Sequence, residues 1–462
     1  MNLRGFVSTA AAAAIGAAFA GQAGAAGFAL IEQNASGLGN AYSGAAAAAE
    51  DASTIWFNPA GMTRIGGRQV VGALNIIKPE AKFSNNGSTP PTLGPPVPGP
   101  LQNLGYPLGG NGGDAGDWAF VPNAYLSWEV MPNQLWLGIG INAPFGLKTE
   151  WDNGWVGRFH AIESEVKTIN INPSVAWKVN ETFSLGAGVS AMYLDATLSN
   201  SVAYRAAAIA TGSGAVIAAV PPGTEGIATV KADDWGWGWN VGAMINFSPA
   251  TRLGLTYRST VKFGLSGDVS FADRPAALAN VLPNSGVNAD VKLPDSFSVA
   301  FSHSMDRWQF LVDYTWTGWN TIQDLSIYRS GSATCCLTST PLNFKDSWRA
   351  GLGVNYQLNS EWKLRGGIAY DTTPVQDQYR TPRLPDQDRT WLAAGAQWAL
   401  SKQMAFDFGL AYLFVKDANS NLPNQEPASA IPPGFPNSPK GALVGSYNAN
   451  VWIISGQIRL NF

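Results

Sequence analysis

The sequence predicts an all-β protein: a 14-stranded antiparallel transmembrane β-barrel with an N-terminal hatch, or plug, in its lumen. Three observations predict it. Runs of alternating apolar residues recur in pairs about tiny turns. The tight turns alternate with long polar loops. No segment beyond the N-terminus offers the roughly 18 consecutive apolar residues that a membrane-spanning helix needs, so a span must be made of strands.

The elements follow in chain order. Residues 1–5 carry one positive charge, Arg4, and 6–20 (FVSTAAAAAIGAAFA) are small and apolar. Ala23-Gly24-Ala25 then offers an A-x-A site, so 1–25 reads as a cleaved secretory signal peptide. Residues 26–67 are rich in Ala, Gly and Ser, with short helical stretches and no hairpin pattern. Their SGLGNAYSG is not a nucleotide loop, because Tyr42 stands where a third glycine is needed and no strand precedes it. A compact segment of this size is suited to filling a barrel lumen. We therefore place the hatch at 26–67 and the barrel at 68–462.

The barrel begins with a strand near 68–81. Six hairpins follow: YLSWEVMPNQLWLGIGI, SVAWKVNETFSLGAGVSAMY, GAMINFSPATRLGLTYRS, SVAFSHSMDRWQFLVDYTW, GLGVNYQLNSEWKLRGGIAYD and GAQWALSKQMAFDFGLAYLF. A last strand near 448–462 makes the number even, as bacterial barrels require. Long loops are expected near 82–118, 150–163, 201–233, 267–290, 326–343, 373–386 and 418–447. Within strands the period is two. Met404, Phe406, Phe408, Leu410, Tyr412 and Phe414 oppose Ala405, Asp407, Gly409, Ala411 and Leu413. Leu253, Leu255, Tyr257, Ser259, Val261 and Phe263 oppose Gly254, Thr256, Arg258, Thr260 and Lys262. Apolar, aromatic-rich faces outward and polar faces inward are the barrel arrangement. A β-propeller would need a four-strand repeat of about 40–50 residues, whereas the unit here is one hairpin between unequal loops.

Composition excludes other classes. Only 13% of residues are charged and the net charge is −3, with no basic run, which argues against a nucleic-acid partner. The two histidines, His160 and His303, lie on different hairpins without metal-ligand spacing, so no enzyme, cofactor or metal site is expected. Cys335 and Cys336 are adjacent in a long loop, and no function is attached to them. The apolar stretch 203–220 reads as a short helix.

Several motifs then coincide. AGF stands at the expected mature terminus, followed by SGLGNAYSG and Asn58-Pro59-Ala60. Further on come WGWGWNVG (235–242), LTYRS (255–259), LPDSF (293–297) and LPDQDRTWLAAG (384–395). As an ordered set they resemble the FadL/TodX family, outer-membrane transporters of long-chain fatty acids and other hydrophobic compounds. The resemblance implies localisation in the bacterial outer membrane and passive uptake of hydrophobic small molecules, most of all long-chain fatty acids. Aromatic or aliphatic hydrocarbons are the alternative; a general porin or a surface receptor fits the hatch less well. It further implies a monomer surrounded by outer-membrane lipid and inserted by the barrel-assembly machinery.

The resemblance also implies a third strand that kinks inward and opens the wall sideways. In this chain that strand is LWLGIGINAPFGL (135–147), and Pro144, Phe145 and Gly146 would form the lateral gate. Pro144 by itself fits a simple strand end and such a kink equally, since proline donates no ladder hydrogen bond. Asn58, Pro59 and Ala60 would lie in the hatch against the kink, and Phe28 would approach an inner pocket. A carboxylate needs a cation. The basic residues associated with that role in the family align near Asn200 and Ser326, neither of which is basic. Arg258 and Lys262, expected to face the lumen, are the substitutes, with Arg158 or His160 near the outer rim.

Overall fold

The computed structural model describes residues 27–94, 97–331, 336–424 and 439–462. The expected signal peptide, Cys335 and most of the loop at 421–439 lie outside them. Fourteen antiparallel strands form one closed ring. They begin with β1 (Arg68–Asn85), β2 (Ala119–Met131), an interrupted β3 (Leu135–Asn142, Gly146–Glu150), β4 (Glu163–Lys178), β5 (Phe183–Ala203) and β6 (Glu225–Asn246). Four further interrupted strands follow: β7 (Thr251–Arg258, Val261–Phe271), β8 (Ser285–Leu293, Ser296–Met305), β9 (Trp308–Thr317, Asp324–Arg329) and β10 (Cys336–Pro341, Ser347–Gln357). The ring ends with β11 (Trp362–Asp371), β12 (Arg389–Ala399), β13 (Met404–Val415, Ala418–Leu422) and β14 (Leu443–Asn461). It closes where β1 pairs with β14, from Gln69 opposite Asn461 to Asn85 opposite Gly445. The short turns use residues that accept left-handed backbone, such as Asn133 (φ 55°) and Asp306 (φ 53°).

Several segments expected as loops are strand. β5 runs 21 residues and β6 runs 22, so strand takes up both ends of the region expected as the 201–233 loop. At about 3.3 Å per residue and a 35–45° tilt, such strands rise roughly 50 Å, twice the apolar band of about 25 Å. The excess projects beyond the membrane at the long-loop end. There the pattern inverts. Phe183, Leu185 and Val189 of β5 face outward, followed by Asp195 and Thr197, while the inner face changes from Ser184, Gly186, Gly188 and Ser190 to Met192, Leu194, Ala196 and Leu198. A strand whose apolar side changes over in this way loses its single greasy face and reads as a loop. The stretch 203–220 forms two short helices, Tyr204–Ala210 and Gly214–Ala219, packed on neighbouring loops through Tyr204, Val220 and Leu278.

In β7 the inversion takes a bulge. Arg258 lies opposite Asn240 and Ser266 opposite Asp233, eight residues on β7 against seven on β6. Ser259 occupies the bulge, its Oγ accepting from the Trp239 N–H at 2.9 Å. The extra residue turns Val261, Phe263 and Leu265 inward and leaves Lys262 exposed. The expected lumenal position of Lys262 is therefore incorrect.

The segment before β1 lies inside the ring. Its turns Ala35–Leu38, Ala45–Ala48 and Thr54–Phe57, and the 3-10 turn Pro59–Arg64, pack on inner faces around the barrel. Glycines on the wall make room for it. A Cβ on Gly254 would stand 2.0 Å from the Ala46 carbonyl oxygen, and one on Gly367 would stand 2.1 Å from that of Asn40. Charges hold it as well: Glu50 pairs with Arg365 at 2.6 Å, and Arg365 with Asp407 at 2.9 Å. Burial alone would raise the Glu50 carboxyl, but Arg365 and Lys363 hold it down at about 2.

Candidate functional site

β3 loses its alternation at LWLGIGINAPFGL. Residues 142–147 are buried one after another, so the chain there runs into the lumen rather than along the wall. Pairing of β2 with β3 stops at Ala124 opposite Ile141. Beyond it the second part of β3 pairs only with β4, and residues 119–123 of β2 only with β1. The wall re-closes higher up, where the Glu150 N–H donates to the Ala115 carbonyl at 3.1 Å and Lys148 meets Asp117 at 3.4 Å. Between these limits the ladder between β2 and β3 has a window.

The residues behind the window are 28–33. The Leu30 N–H donates to the Pro144 carbonyl at 2.7 Å, and the Gly146 N–H to the Phe28 carbonyl at 2.9 Å. Gln33 Nε2 donates to the Ala143 carbonyl at 3.1 Å. On the other side, Asn75 and Asn123 donate to the Glu32 carbonyl at 2.7 and 3.0 Å, and the Tyr125 hydroxyl to that of Gln33 at 3.0 Å. This strip bonds to both edges of the window from within. The freed backbone groups of the kink thus find partners, as buried backbone must.

Asn58, Pro59 and Ala60 sit elsewhere. They pack on β5 and β6, where Cβ atoms on Gly186 and Gly242 would strike Ala60 and Asn58. Asn58 is fully buried and donates to the Ala46 and Ala243 carbonyls at 2.8 and 3.0 Å, while its Oδ1 caps Ala60 at 3.1 Å. The expectation that this motif faces the kink is corrected, because the strip 28–33 takes that place.

Above the kink lies a cavity of about 460 Å³, within the range of small-molecule sites. Its lining includes Leu194, Leu198 and Leu265, brought inward by the inversions just described, with Val230, Val287 and Phe344. Phe28 lines this cavity, 4.9 Å between ring centres from Trp319 and 6.0 Å from Phe145. Phe145 and Trp319 line a second, smaller chamber of about 160 Å³ with Pro144, Trp56 and Arg258. The three rings divide the two spaces.

The cations take different roles from those expected. Arg258 belongs to the lower chamber, 3.5 Å above the Trp56 ring and donating to the Trp56 carbonyl at 2.8 Å. Arg158 is buried, paired with Glu225 at 2.9 Å and bonded to the Pro107, Leu108 and Trp155 carbonyls, so it clamps loops. His160 contacts the Gly441 carbonyl at 2.8 Å, and burial with neighbouring Lys440 pushes its pKa down to about 3. Asn200 accepts from Arg383 at 3.3 Å, and Ser326 lines the large cavity. Sequence reading missed Arg383 and gave Asp386 only as part of the LPDQDRTWLAAG motif (384–395), with no role of its own. Asp386 accepts from the Gly27 N–H at 2.9 Å, tying the N-terminal strip to the loop between β11 and β12. The one signal was the charged run RLPDQDR (383–389), which carries no strand periodicity.

A family profile described as outer membrane protein transport protein (OMPP1/FadL/TodX) matches residues 16–462. The long-chain fatty acid transport protein of Salmonella typhi is 30% identical over 417 residues, covering 87% of this chain and 90% of that one. Outer membrane protein P1 of Haemophilus influenzae Rd is 31% identical over 416 residues, covering 85% and 87%. The crystal structure of a Pseudomonas aeruginosa FadL homologue matches with a TM-score of 0.81 at 24% identity, covering 95% of this chain and 100% of that one. That of the Ralstonia pickettii toluene transporter TbuX matches at 0.61 and 20%, covering 93% and 100%. At these identities the structures speak to the fold alone.

Proposed function

The chain belongs to the OMPP1/FadL/TodX family of outer-membrane transport proteins, and on that premise we propose that it takes up long-chain fatty acids by passive diffusion through the cavity and the window. The relatives named as long-chain fatty acid transport proteins support the substrate class. The observation that carries the reading is the apolar cavity ending at Phe28, whose own strip covers the window. Below that level, apart from the smaller chamber, the lumen holds hydrogen-bonded chain. A fatty chain released downward would enter water at about 0.8 kcal/mol per methylene, whereas a sideways exit delivers it into lipid. In this reading the strip 28–33 is the moving part, Pro144, Phe145 and Gly146 frame the exit, and Asn58-Pro59-Ala60 anchors the rest of the hatch. Uptake of aromatic or aliphatic hydrocarbons by the same route is the second reading; the apolar lining of the cavity, which a neutral hydrocarbon fits as well, supports it.

Native mass spectrometry of the purified barrel against fatty acids, alkanes and monoaromatics tests the substrate class. Retention of the acids is expected; retention of neutral hydrocarbons alone would select the second reading, and retention of nothing would overturn both. Pro144→Ala tests the route. It should cut fatty-acid uptake several-fold at equal surface expression, and unchanged uptake would remove the window from the mechanism.

A further inference from the structure

We propose that Arg383 is the specificity-determining cation of the upper cavity, selecting ligands with an anionic head group over neutral ones of the same length. The proposal rests on the uptake reading above and names what that site distinguishes. Arg383 stands where the large cavity meets an outer pocket of about 260 Å³, and it lines both. The next residue, Leu384, is part of the apolar lining.

The bonding of Arg383 sets it apart from Arg365, Arg349 and Arg158, which hold the barrel and its loops together; Arg252 and Arg258 bond only carbonyls and hydroxyls too, but they serve the hatch and the lower chamber and do not line this cavity. Arg365, Arg349 and Arg158 each meet a carboxylate at 3.0 Å or less. Arg383 meets none among the described residues. Its partners are the Glu163 carbonyl at 3.1 Å, Ser164 Oγ at 2.9 Å and Asn200 Oδ1 at 3.3 Å, all neutral. Those bonds use three of the five N–H groups of a guanidinium. Burial with no compensating acid pushes its pKa down to about 10, which still leaves it charged at neutral pH. A sheltered cation without a counter-ion carries an unrecovered desolvation cost, and an incoming carboxylate would offset it with charge-assisted bonds.

The group is also held in place. Its backbone carbonyl accepts from Thr149 Oγ1 at 3.2 Å, and that of Pro382 accepts from Trp151 Nε1 at 3.1 Å. The remaining charged residues of the lining, Asp290, Lys292 and Asp324, belong to β8 and β9 and are exposed. An acid with its head at Arg383 would lay its tail between Leu194, Leu198 and Val287, towards Phe28.

The test uses the full barrel in detergent and two probes of equal length, hexadecanoate and hexadecanol. Binding is measured for the wild type, Arg383→Gln and Arg383→Lys, with heat-modifiable gel mobility as the check that each variant is folded. The expected result is at least a tenfold loss of hexadecanoate affinity in Arg383→Gln, an unchanged hexadecanol affinity, and partial recovery of the acid in Arg383→Lys. Equal hexadecanoate affinity in wild type and Arg383→Gln would overturn the proposal. So would an equal loss of both probes, which would assign Arg383 to packing alone. A wild type that binds neither probe would instead overturn the uptake reading.

Discussion

The two halves of the lumen are built from the same strands and do opposite things. On β5 the inner face reads Ser184, Gly186, Gly188, Ser190 near the short turns and Met192, Leu194, Ala196, Leu198 near the long loops. Of the first set, Ser184 and Gly186 meet the N-terminal segment, an irregular chain whose backbone needs partners and close approach. In the second set Leu194, Ala196 and Leu198 line the cavity, and Met192 is buried in the same apolar cluster. The contrast teaches that a barrel wall has no fixed inside. Its apolar face points to lipid where lipid is outside, and to the cavity where water is outside.

The two halves should therefore fail separately. The largest effect is expected in the lower half. Arg365→Met leaves the buried Asp407 without its cation and Glu50 with Lys363 alone, and should cost about 3–5 kcal/mol in urea unfolding while leaving cavity affinity unchanged. Parallel losses in stability and affinity would show that the halves are coupled.

Glu32 lies at their border. It is fully buried, its carboxylate oxygens have no hydrogen-bond partner among the described residues, and burial raises its pKa to about 7. The folded state thus favours the protonated acid. Its contribution is complete below about pH 4.5 and is lost as the pH rises to about 7. Glu32→Gln keeps the shape and removes the titration. It should stabilise the protein by about 3 kcal/mol at pH 8 and by little at pH 4.5, read as thermal midpoints at the two pH values.

Leu194→Asp puts a charge into the upper half. A loss of about 10- to 100-fold in fatty-acid affinity is expected, roughly 1.4–2.8 kcal/mol, with the heat-modifiable gel shift retained; undiminished affinity would place the ligand elsewhere. The smallest effect is expected from Asn58→Ala. It removes the bonds to the Ala46 and Ala243 carbonyls and the cap on Ala60. About 1–3 kcal/mol of stability should be lost, with faster proteolysis of the hatch and slower uptake. A wild-type uptake rate would leave Asn58 as a turn residue alone.

Much of the fold was legible because membrane-facing strands obey a period of two. From Met404 to Phe414 the outward and inward sets read from the sequence are those observed. Pro144, with no N–H to give a ladder, marked where the pairing of β3 must stop, while the inward turn of the chain there came from the family resemblance. The Arg258–Lys262 stretch was not. One extra residue at Ser259 reverses every later side chain, and a bulge is defined only against the neighbouring strand. The upper parts of β5 and β6 read as loop for a related reason, since their greasy side changes over where the strand leaves the membrane.

The sequence by itself determined the barrel and its strand number. These follow from local patterns of polarity, and Pro144, which lacks a donor, marked a place where the ladder of the third strand must stop. Only the tertiary structure decided which residues share the cavity, that strip 28–33 rather than Asn58 meets the kink, and that Arg383 rather than Lys262 stands at the cavity wall. Those choices depend on contacts between residues far apart in the chain, such as Gly27 with Asp386 and Asn200 with Arg383. The physical reason is that closing the ring, not any local pattern, brings such residues together.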